Sequence, residues 1–429
     1  MTENLPGSFA EPLHERLSRA AECFRGALIA VVDHLPVGTK RPATFERMLK
    51  LDRNLSSRIL RAIRMQDPLA TLHRMPGAQG IRLFLAASGR AGVDRQIITR
   101  AEQLLTDLER LVANEVGTWQ DLNAAIAGWL PEARDEFELA NRQTAYRALS
   151  NLKGVTADVE LSVTLIHPSA EHPRWLDRAG ITGHLRLRRL RPGTPMNLIH
   201  GRSVTPLPAS TAQDTGGLQF GYASIAPPTG VQRLSLDGEP IDAEHPAPLL
   251  AEFSCQPAPQ FGVRVTADSV YYVLGGDRVG IGSAVDLLFA DVMRRRYAAY
   301  SDAGTRPAAP GSSIEIPVKV LILDVLVHRD AWVGVEPELR AYDMIGNGPA
   351  DPTDPGRDPD RIDLPGGIQE MGTRLEAFRT KDVGRYVDMI RYLCTRLGWD
   401  ATAFRGYRYR LEYPVRGTQV HMVFRPPSG

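Results

Sequence analysis

The chain has 429 residues, of which 43% are hydrophobic and 24% charged, with a formal net charge of +1 and three cysteines. That is ordinary for a globular protein of two or three domains, and it excludes a uniformly basic coat for nucleic acid. Cys23, Cys255 and Cys394 lie far apart with no C-x-x-C pair, which argues against a disulfide framework or a cysteine-based zinc site and fits a reducing compartment. The start, MTENLPGSFAEPLHER, has neither a charged n-region nor an apolar h-region, and no apolar run is long enough to span a bilayer. A cytoplasmic location and no membrane partner are the expectation.

In chain order, residues 12 to 152 read as almost wholly helical. Leu13, Leu17, Ala20, Phe24, Ala27, Leu28 and Val31 recur at helical spacing and predict one amphipathic helix over 11–35. Pro42 suits the start of the next helix. From Lys40 to Arg100 there are thirteen Lys or Arg against four Asp or Glu, a local surplus that bears on partners rather than on fold. Asp67-Pro68 and Pro76-Gly77 break the chain, and a short helix is expected over 78–88. A long helix follows over 94–115, with Asp94 as its N-cap. Its positions 97, 101, 104, 108 and 111 form a seam that suits another helix, either within the domain or across a dimer. Helices over 119–130 and 132–149 complete this half.

After Gly154 the pattern changes to alternation. Strands are expected over 159–166, 181–190, 261–274 and 314–328. In the second of these, His184, Arg186 and Arg188 fall on one face. Residues 285–300 read as a helix, 346–367 as a Pro/Asp/Gly loop that is disordered or an exposed excursion, and 383–397 as a helix. Strands over 407–413 and 418–424 read as a hairpin turning at Arg416-Gly417. From Asp237 to Asp291 nine acidic residues face two basic ones. The fold class is therefore α+β multidomain: an all-α N-terminal domain, then a mostly antiparallel α+β C-terminal region. The expected boundaries are 1–92, a linking or dimerising segment over 93–154, and 155–429, with subdomains near 155–310 and 311–429.

The segment TFERMLKLDRNLSSRILRAI, residues 44 to 63, reads as a helix, a turn and a second helix with an arginine-lined face. LKLDRNLSSRILRAI resembles the helix-turn-helix of transcriptional regulators, which often read L-G-L-D-K-S-T-V-S-R-L-L-R-T-L. Leu49, Leu51, Asp52, Ser57, Arg58, Leu60 and Arg61 are identical in that alignment, and Arg53, Ile59 and Ile63 are conservative matches. Two positions depart: Lys50 stands where the turn glycine usually sits, and Ser56 where an apolar residue usually packs inward. The resemblance implies double-stranded DNA as partner, sequence-specific binding as a homodimer, and transcriptional regulation. By the residues themselves, Asn54 is a candidate N-cap, and Arg53, Asn54, Ser57, Arg58 and Arg61 are the exposed candidates for base contact. Lys40, Arg41, Arg47, Lys50, Arg64 and Arg74 are candidates for phosphate contact. The wing that often follows in such families is doubtful here, because Ile81 to Ser88 favours a helix.

Elsewhere the chemistry is sparse. His167 and His172, each followed by proline, make a poor metal pair. The loop VLGGDRVGIGSAVDLL, residues 273–288, follows a strand and precedes a helix, a context that suits an anion, but it fits neither the dinucleotide-binding nor the P-loop glycine pattern. Asp324 and His328 share a strand face and could form an acid–base pair. FRGYRYRLEYPV reads as a strand with aromatics inward and arginines outward. No catalytic motif is found, so the expectation is no enzyme, no cofactor and no metal. The C-terminal region is then a ligand-sensing, partner-binding or oligomerising half, with a small-molecule effector as its possible partner. Two other classes compete: an adaptor whose helical domain docks a protein, and an enzyme with its site in the C-terminal region.

Overall fold

A computed structural model describes residues 12–35, 42–201, 232–241, 249–265, 270–302 and 305–429. The chain divides into two compact units, residues 1–140 and 141–429, and not at the places read from the sequence. It is an α+β multidomain fold, with helices first and a mixed, mainly antiparallel region after them.

The first unit is built from α1 (Leu13–Asp33), α2 (Pro42–Leu49), α3 (Arg53–Ala62), α4 (Pro68–Arg74), α5 (Ala78–Arg90), α6 (Arg95–Glu115), α7 (Trp119–Trp129) and the start of α8 (Pro131–Lys153). One apolar core joins them. Phe24 and Leu28 of α1, Phe45 of α2, Ile59 and Leu60 of α3, Phe84 of α5, and Leu105 and Leu108 of α6 all contribute to it. Phe45 and Phe84 stack with ring centroids 5.8 Å apart.

The long helix α6 is thus core, not a linker. Its buried positions are Ile98, Ala101, Leu105, Leu108 and Val112, while Ile97, Leu104 and Leu111 are only partly covered. Of the seam, Ala101 and Leu108 are buried in the unit, and Ile97, Leu104 and Leu111 pack against its core with part of their surface left open. Arg16 near the start of α1 meets Glu115 at the end of α6 at 3.0 Å, so the two helices run antiparallel.

The second unit centres on a seven-stranded sheet in the order β11-β12-β9-β1-β2-β7-β4. Its strands are β1 (Val155–Pro168), β2 (Trp175–Arg189), β4 (Gln232–Leu234), β7 (Val285–Ala298), β9 (Val318–His328), β11 (Gln369–Gly372) and β12 (Phe404–Glu412). Only the pairing of β1 with β9 is parallel. One face is covered by α9 (Tyr386–Leu397), whose Val387, Ile390 and Leu393 pack on Val159, Leu161 and Ile322. The other face carries two three-stranded sheets. One is β3 (Met196–Gly201), β6 (Val270–Leu274) and β5 (Gly262–Val265); the other is β10 (Glu338–Asp343), β13 (Thr418–Val423) and β8 (Gly311–Ser313).

Four expectations are corrected here. Residues 285–298 form a central strand and not a helix: Leu287 to Val292 are buried without interruption. The apolar stretch Leu287 to Ala290, without alternation, suits a strand covered on both faces as well as it suits a helix. β12 and β13 are not a hairpin. β12 pairs with β9 and β11, and β13 with β10 and β8 in another sheet. The loop 346–367 is ordered: a 3-10 turn at Pro355–Asp360 packs it down, and the Arg357 guanidinium donates to the carbonyls of Gly348 and Pro349 at 2.8 and 2.9 Å. Finally, the arginines of β12 do not all face outward. Arg408 is buried against Asp324, while Tyr407 and Tyr409 do point into the core.

Candidate nucleic-acid interface

α2 and α3 are joined by three residues, Lys50 to Asp52. The turn takes the form that glycine usually supplies, but with lysine: Lys50 has φ +52°. A side chain there is strained by about 1 kcal/mol. Lys50→Gly is therefore expected to raise the stability of the folded chain by about that amount, read as a higher urea midpoint with an unchanged slope.

The N-cap of α3 is Asp52 and not Asn54. The Asp52 carboxylate accepts from the backbone N–H groups of Asn54 at 2.8 Å and Leu55 at 3.2 Å, satisfying two of the helix's orphan donors. Asn54 thereby becomes the second helical residue, with an exposed side chain. The inward face of α3 buries Ser56, Ile59, Leu60 and Ala62. Ser56 occupies the position where an apolar residue was expected; it is fully covered, and its hydroxyl has no hydrogen-bond partner among the described residues.

The opposite face is the candidate surface. Arg53, Asn54, Arg58, Arg61 and Arg64 are exposed and Ser57 half-buried. At 3.6 residues per turn these positions span an arc of roughly 140° with no carboxylate in it. Arg47 of α2 and Lys50 of the turn are exposed as well. The side chains of Arg47, Lys50, Arg53, Asn54, Ser57 and Arg61 make no hydrogen bond or ion pair among the described residues. Three of the expected contacts are otherwise engaged, Arg64 among them. Arg58 donates to the Met75 carbonyl at 2.8 Å, at the end of α4, and Arg74 pairs with Glu136 at 2.7 Å. Lys40 and Arg41 lie outside the described residues. Residues 78–90 form α5, and among the described residues of this unit there is no strand to serve as a wing.

The chemical candidates of the second unit do not assemble. Asp324 is held by the Arg408 guanidinium at 2.6 and 2.9 Å and by the Tyr386 hydroxyl. His328 lies elsewhere, against His167, with ring centroids 4.6 Å apart. Burial and the neighbouring His167 push the His328 pKa down. His167 itself stacks on Trp399 at 4.6 Å. Among the described residues no group of three or more His, Cys, Asp or Glu side chains is placed to hold a metal ion. The glycine-rich loop 275–283 leads into β7, so no helix N-terminus awaits an anion there. Arg186 and Arg188 converge on Asp158 at 2.8 and 3.0 Å, joined by Lys319 at 2.8 Å. They form a charge cluster rather than a ligand-facing row.

No described helix is long and apolar enough to cross a membrane. No protein-family model, no curated protein and no solved structure matches this chain.

Proposed function

We propose that the helical unit binds double-stranded DNA through α3, as a sequence-specific regulator whose second unit senses a small molecule, binds a partner or brings copies together. The observation that carries this is the carboxylate-free arc of Arg53, Asn54, Ser57, Arg58 and Arg61 on the outer side of a capped helix, supported across a three-residue turn by α2. Arginine and asparagine are the side chains that read guanine and adenine edges in the major groove. Arg47 and Lys50 are exposed on α2 and the turn beside them, and such cations meet backbone phosphates. One such helix reads few base pairs, so two copies on paired half-sites are the expected arrangement.

The test is fluorescence anisotropy of the full chain on a random-sequence duplex across a salt series. Affinity should fall steeply with salt. In the double variant Arg53→Ala/Arg61→Ala the salt slope should shrink by about two. Its melting temperature should be unchanged, since neither side chain has a hydrogen-bond or ion-pair partner among the described residues. Arg58→Ala is a poorer probe, because it also breaks the bond to Met75. Absence of binding at low salt sinks the reading and points to protein docking through this surface instead.

A further inference from the structure

One edge of α6 carries an apolar stripe that the helical unit leaves partly open. Ile97, Leu104 and Leu111 touch the core with only part of their surface, and they stand seven residues apart. Two helical turns separate neighbours in such a series, so the three lie almost in line. The stripe runs for about 21 Å along the helix. Three large aliphatic side chains in line, each with surface to spare, suit the edge of another helix.

The solvent-side flank of this stripe is charged in a particular order. Arg100 and Asp107 are both exposed on it, again seven residues apart, each between two of the apolar positions. Arg100 makes no hydrogen bond or ion pair among the described residues. Asp107 accepts from Gln103 at 3.0 Å and meets Arg110 at 3.4 Å within its own helix, yet 51% of its side chain stays exposed. Gln96, Gln103 and Asn114, on the same flank, are neutral.

Symmetry narrows the partner. Two copies of α6 packed antiparallel about a two-fold axis at Leu104 set Leu104 against itself. Ile97 then meets Leu111 of the second copy, because both stand seven residues from that centre. In an antiparallel helix pair each flank meets the same flank of the other helix, so Arg100 of each copy faces Asp107 of the other. Opposite charges placed evenly about the centre are self-complementary: the contact is made twice and closes. A parallel, in-register pair would instead set Arg100 level with Arg100 of the second copy. Interhelical charge pairs of this kind choose both partner and orientation.

We propose that α6 is the surface through which two copies of this chain associate, antiparallel, with Leu104 on the two-fold axis and an Arg100–Asp107 pair on either side of it. Such a pair supplies the two copies that the DNA-binding reading calls for, and rests on that reading for its role. Association itself is measured without DNA, so either can fail alone.

Sedimentation equilibrium of the full chain, without DNA, tests it. A monomer–dimer equilibrium is expected. Leu104→Glu should weaken association about a hundredfold, since two carboxylates then meet on the axis in place of two leucines. Leu104 also touches the core, so thermal melts accompany that variant, and the exposed charges provide an independent arm. Arg100→Asp or Asp107→Arg alone should weaken the dimer about tenfold, because each sets like charges opposite one another in both symmetry-related contacts. The combined variant Arg100→Asp/Asp107→Arg restores opposite signs and should recover most of that loss, which an effect on folding alone would not produce. A monomer at about 100 μM overturns the proposal and hands the stripe to a different protein. A dimer that resists all these substitutions overturns it too, since the copies then meet elsewhere, and so does a combined variant no tighter than the single ones.

Discussion

Asp324→Ala is expected to cost about 3–5 kcal/mol of folding free energy, the range for removing one partner of a buried ion pair. Asp324 is 0% and Arg408 6% exposed. The guanidinium lies beside the stacked rings of Phe378 and Tyr386, 5.3 and 5.2 Å from their centroids. Without the carboxylate, Arg408 keeps the Phe378 carbonyl at 2.9 Å as an acceptor, and a cation is left in the core. The Tyr386 hydroxyl, at the start of α9, loses its acceptor at the same time. Burial pushes the Tyr386 pKa well up, so that hydroxyl stays protonated as a donor. The joint replacement Asp324→Leu/Arg408→Met should recover most of the loss, because an apolar pair of similar volume removes both desolvation costs. Urea unfolding of the two variants checks both statements. A loss below about 1 kcal/mol in Asp324→Ala would mean that water reaches the pair.

Acidification supplies the second large effect, through His421. Burial lowers its pKa from 6.5 to about 4, although the bond to the Ala309 carbonyl and nearby Asp351 work the other way. The sign follows from proton counts. Below pH 6.5 the unfolded chain binds a proton that the folded chain refuses, so stability falls as pH drops. The contribution is complete above pH 6.5 and exhausted near pH 4, a loss of about 3 kcal/mol at 1.36 kcal/mol per unit. His421→Gln removes the titrating ring and should flatten stability against pH across that window in urea melts. His328, also lowered, remains in the variant, so some slope persists. Burial acts on Asp291 in the opposite direction, but Arg178 and Arg233 outweigh it and hold its carboxyl below the usual range. Its stabilising share is lost only below about pH 4, outside the His421 window.

The helical half was largely readable because its apolar positions recur every three to four residues and its stops are Pro and Gly. Asp94 caps α6 as read, and α2 starts at Pro42. The cap of α3 was misassigned by two residues because Asp and Asn are equally good caps; the choice was made by Lys50, which takes a left-handed conformation and brings Asp52 to the helix start. β7 was unreadable as a strand because Leu287 to Val292 are covered on both faces, which erases alternation. The split of β12 from β13 follows from pairings with β9 and β10, distant partners that a local turn signal cannot reveal. The exposed face of α3 was legible residue by residue, since amphipathic spacing fixes which side chains face out. The partners of Arg58 and Arg74 were not, for each sits on another helix.

The parallel pairing at the centre of the large sheet has a consequence during synthesis. Ala157 of β1 pairs with Val318 of β9, so β1 and its hairpin partner β2 leave the ribosome long before β9 exists. Until then one side of β1, a run from Leu161 to Ile166 that ends fully buried, presents unpaired backbone and apolar side chains to whatever is near. An open strand edge of that kind is where nascent chains pair wrongly with one another. Slower translation prolongs the exposure, and a holdase that shields β1 shortens its effect. The yield of folded protein in a cell is thus set less by the finished sheet than by the interval before its ninth strand arrives.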